Sequence, residues 1–159
     1  MPFQKTISKT GHFTLYTSGS LVIMDFAQQS NAADFNEMTA MMKALAAKVG
    51  KISSISIAPP KVEKFDDATR AAMKDQQVQT AGLILGTAVV IPGGSLSALV
   101  VRTIVSGVNA LSKSATPTKT FGDLKEALAW LQTVPGQTAD VKALKPADLP
   151  SLGAAAKAA

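Results

Sequence analysis

Residues 116–131 read TPTKTFGDLKEALAWL, and this stretch decides the fold class because it passes from an extended edge into a capped, amphipathic helix. Pro117, Thr118, Thr120 and Phe121 suit a strand at a sheet edge, where a residue that cannot donate to the ladder is tolerated. Asp123 stands three residues before Glu126, so its carboxylate can accept from an open amide of the first turn while Glu126 reaches back. Leu124, Ala127, Leu128 and Leu131 then repeat at the spacing that lays one apolar stripe on a sheet. Trp130 falls off that stripe, beside Ala127 and Val134; a lid over the edge of the core explains it more simply than a ligand-stacking indole.

Upstream, residues 12–17 and 21–26 are two β-rich runs separated by Ser18, Gly19 and Ser20, which predicts a hairpin. Asn31 with Asp34 three residues on opens a helix whose apolar row is Phe35, Met38, Met42, Leu45 and Val49, with Gly50 as its stop. Residues 51–58, with Ile52, Ile55 and Ile57, read as a strand closed by Pro59 and Pro60. A second helix is predicted from about Asp66 to Gln79, with Asp66 and Asp67 at the positive end of its dipole and a thin apolar face. Residues 83–91 form a nearly continuous aliphatic run, the mark of a strand buried on both faces. Pro92, Gly93 and Gly94 break it, and Ser95 can cap a third helix. Alternating strands and helices of this kind predict an α/β sheet domain over residues 1–134. From Pro135 the composition turns to Ala, Pro, Gly and Lys, so residues 135–159 read as a largely flexible tail, with Val141, Leu144 and Leu149 able to dock on a partner or on the domain.

The chain has 159 residues, enough for one domain with a proper core, and no cysteine, which excludes disulfides, thiolate nucleophiles and cysteine metal sites. Residues 1–8 lack the apolar run of a secretory signal, so a cytoplasmic protein is expected. The net charge of +5 comes from scattered lysines, with Arg70 and Arg102 the only arginines, and this disfavours nucleic-acid binding. His12 is the single histidine, near the start of a hairpin, so neither a Ser-His-Asp nor a multi-histidine metal arrangement is expected from one chain; a strand or surface role is the simpler one. Glu63, Asp66 and Asp67 form an acidic group that helix-dipole compensation explains better than a metal. No cofactor motif occurs: the glycines of residues 82–94 form neither a dinucleotide fingerprint nor a phosphate loop. Gly93, Gly94 and Ser95, with Arg102 nearby, could still contact an anion or ligand at a helix start, although turn and cap use accounts for them.

Residues 76–101 contain no charge at all. Gly86 and the Pro92-Gly93-Gly94 break argue against one membrane-spanning helix and for a strand followed by a helix. On that helix Leu96, Leu99, Val100, Thr103, Ile104, Gly107 and Leu111 make the core stripe, and Ala98, Val101, Val105 and Val108 make a second apolar face beside it. A helix apolar on two sides is expected to be covered on two sides, so this face is the predicted interaction surface, meeting another subunit, a lipid tail or the C-terminal tail.

The hairpin, the helix ending at Gly50, the FDDATRAAM segment, the buried run of residues 83–91 and above all PTKTFGDLKEALAWL together resemble the STAS/SpoIIAA-like family over roughly residues 10–133. The resemblance implies a mixed four- or five-stranded sheet with helices packed largely on one face. It also implies non-enzymatic work, in regulation by protein contact or in ligand sensing. Family antagonists present a phosphorylatable serine in an Asp-Ser-x-Gly motif; none occurs here, which puts a phosphoserine switch in doubt. The expectation is a regulatory or scaffolding module acting through protein contact, as a homo-oligomer, and the alternative is a lipid or apolar-ligand carrier of CRAL-TRIO-like type.

Overall fold

The structure is a computed structural model that describes residues 3–59, 63–91 and 116–152. Its centre is a six-stranded mixed sheet in sequential order: β1 (Gln4–Ile7), β2 (Phe13–Ser18), β3 (Leu21–Phe26), β4 (Ile52–Ile57), β5 (Ile84–Val90) and β6 (Thr118–Phe121). β1, β2 and β3 pair antiparallel, whereas β3 to β6 run parallel. The α/β class is as the sequence predicts. The strand count is corrected from four or five to six, and the added strand is β1, whose four residues are all exposed. A polar sequence such as QKTI has no buried face and so gives no alternation to read.

Strand ends and caps follow the local chemistry. Gly19, with φ 57°, and Ser20 close the β2–β3 hairpin, which pairs Ser18 with Leu21 and Phe13 with Phe26. α1 (Ala32–Val49) opens with a complete capping box, in which Asn31 accepts from the Asp34 amide and Asp34 accepts from the Asn31 amide. Its buried row is Asp34, Met38, Met42 and Ala46, so Val49, predicted on the stripe, is instead 41% exposed. α2 (Asp67–Thr80) is capped by Asp66, whose carboxylate accepts from the Thr69 amide at 2.7 Å. α3 (Leu124–Leu131) is capped by Asp123, which accepts from the Glu126 amide at 2.7 Å.

Among the described residues the helices lie on both faces, which corrects the expectation of helices largely on one. On one face Met38, Met42 and Ala46 of α1 cover Phe13, Leu15, Val22, Met24 and Ile52, and α2 packs beside α1 with Phe65 edge-on to Phe35. On the other, Ala127, Leu128 and Leu131 of α3 join Leu21, Ile23, Ile55, Ile57, Ala88 and Val90. The register slips between the β4–β5 pairs Ile52–Ile84 and Ser53–Gly86, leaving Leu85 as an extra residue. Leu85 packs on the α3 side, and so would a Cβ on Gly86, which would stand 3.1 Å from Val134 and 3.3 Å from Leu131. The missing side chain lets α3 approach β5 closely, and Trp130 closes the edge there against Phe121, with ring centroids 5.6 Å apart.

Residues 135–152 also lie on the α3 face. A tight turn at Pro135 and Gly136, the latter with φ 77°, leads into α4 (Ala139–Ala143) and a single 3-10 turn (Pro146–Asp148). Val141 is fully buried in the core, and Leu144, Leu149 and Leu152 pack against it.

Candidate functional site

Two polar corners and one cleft stand out among the described residues. The first corner is built on Asp34, fully buried at the start of α1. The 8–12 turn before β2 brings His12 and Thr10 onto it: His12 Nδ1 lies 2.7 Å from Oδ2, the Thr10 hydroxyl donates to Oδ1 at 2.5 Å, and the Asn31 amide donates to Oδ2 at 2.9 Å. Burial by itself would raise the Asp34 pKa; bonds from Thr10, Asn31 and His12 outweigh it and hold the carboxyl below its ordinary value. The His12 side chain keeps 25% of its surface exposed, so the buried carboxylate orients an imidazole whose other edge reaches solvent. His12 also ties the next loop, since its carbonyl accepts from the amides of Ala27 and Gln28.

That loop is one wall of the cleft. It lies at the carboxyl ends of β3 and β4, has a volume of about 570 Å³, and is lined by residues 27–31 with Glu63, Lys64, Asp66 and Thr69. Gln29 bridges the walls by donating to the Glu63 carbonyl at 3.0 Å and accepting from the Glu63 amide at 2.5 Å. Of the predicted acidic group, Asp66 is the α2 cap, Asp67 pairs with Arg70, and Glu63 is held through its backbone. Among the described residues no three His, Asp or Glu side chains gather as they would around a metal. The Ser30 hydroxyl is buried in the cleft wall and has no hydrogen-bond partner among the described residues.

The second corner fastens residues 135–152. Asp140 accepts from the Ser20 amide at 2.6 Å and from the Ser20 hydroxyl, which also meets the Thr138 hydroxyl at 2.7 Å. Burial pushes the Asp140 pKa up, but the bonds from Ser20 and Thr138 prevail and hold it low. Gln137 is buried between the Ser53 hydroxyl and the Leu131 carbonyl, 2.9 and 2.6 Å from its Nε2. Gln132 donates to the carbonyls of Val141 and Leu144, closing the end of α4. A Cβ on Gly19 would collide with the Asp140 carboxylate, so the glycine serves both the turn and the latch.

The sequence reading missed both corners. The Asn31–Asp34 box was legible, but His12 and Asp34 are 22 positions apart and Ser20 and Asp140 are 120 apart, and no local spacing announces such pairs. Ser53, Ser54 and Ser56, which fall within the run of residues 51–58 read as a strand, lie in β4. The predicted interaction face, Ala98, Val101, Val105 and Val108, and the predicted anion contacts, Gly93, Gly94, Ser95 and Arg102, lie outside the described residues. No helix among the described residues is long and apolar enough to cross a membrane. No known family model, no curated protein and no solved structure matches the chain.

Proposed function

We propose that the chain is a non-enzymatic regulatory or scaffolding module of STAS/SpoIIAA-like type, working in the cytoplasm through self-association. One observation carries the reading. Among the described residues both sheet faces already have cover, α1 and α2 on one and α3 with residues 135–152 on the other. Yet residues 95–112 supply, beyond one core stripe, the further apolar row Ala98, Val101, Val105 and Val108, with Arg102 the lone charge. If these residues fold as the helix the sequence predicts, a second copy of the chain would cover the further row. A lipid carrier would need an enclosed apolar chamber, and the described cleft, lined by Gln28, Gln29, Asn31, Glu63 and Lys64 beside Ala27 and Thr69, is of mixed polarity.

Sizing of the full chain beside its Val101→Glu and Val105→Glu variants tests the reading. A carboxylate placed in an apolar contact loses its hydration without gaining a partner. The wild type is expected to elute as an oligomer and both variants as monomers with unchanged far-ultraviolet circular dichroism. Three identical monomeric profiles would remove the proposal.

A further inference from the structure

We draw no further inference here: the strongest candidate, the polar cleft at the carboxyl ends of β3 and β4, carries none, because its Ser30 hydroxyl is closed off within the wall, residues 32, 33, 67 and 68 of the two helix starts do not line it, and Glu63 and Asp66 oppose Lys64 without selecting a ligand class.

Discussion

Asp34 shows how one side chain can serve two structures at once. As the third residue of α1 it completes the capping box, and as a buried acceptor it gathers Thr10 and His12 from the turn before β2. Hydrogen bonds to a charged group contribute about 1.5–3 kcal/mol each, so Asp34→Asn is expected to lower stability at pH 7 by roughly 2 kcal/mol in urea unfolding. The sign of its pH dependence follows from the lowered pKa. An unfolded aspartate titrates near pH 4, so the contribution is complete above that value and disappears as pH falls through the depressed folded value. The gap between wild type and Asp34→Asn should therefore close in acid; a gap that stays constant from pH 7 down through the acid range would show that the charge is not what stabilises this corner. Gly86 acts through what it lacks. With Val134 and Leu131 already 3.1 and 3.3 Å from the place a Cβ would take, Gly86→Val should cost about 1–3 kcal/mol through overpacking. Unaltered thermal melting of that variant would mean that α3 has room to retreat.

The elements differ in how much of them the sequence reveals. α3 was legible almost whole, because Asp123, the leucine spacing and the preceding strand are all local signals and the packing agrees with them. The hairpin, β4 and α2 were legible for the same reason. α1 was found, but its buried row runs through Asp34, Met38, Met42 and Ala46 rather than out to Val49; choosing between apolar rows on one helix depends on where the sheet lies. β1 and the bulge beside Gly86 were not legible, the first because nothing on it is buried, the second because an uninterrupted aliphatic run hides a register slip. Residues 135–152 look like linker in composition, and their placement depends on tertiary partners distant in sequence, among them Ser20, Ser53 and Tyr16. Val141 is the apolar anchor of this segment. Removing its methyls with Val141→Ala should lower the stability of the whole domain by about 2 kcal/mol. A normal urea midpoint for this variant would show instead that the segment adds nothing to the fold.

At the scale of the whole molecule, the parallel strands β3 to β6 follow one another in space as they do in sequence, so the sheet has no point within that run at which the strand order reverses. Among the described residues α1 and α2 cover one sheet face and α3 with residues 135–152 the other, with polar latches at both ends of β3: Asp34 with Thr10 and His12 beside its carboxyl end, Asp140 with Ser20 at its start. The proposed self-association rests instead on sequence, on the uncharged residues 76–101 and the apolar row Ala98, Val101, Val105 and Val108. The most direct measurement is sedimentation equilibrium of the full chain over a wide concentration range. The account predicts a mass that rises with concentration to a multiple of the 16.4 kDa chain; a single species of 16.4 kDa at every concentration would contradict it.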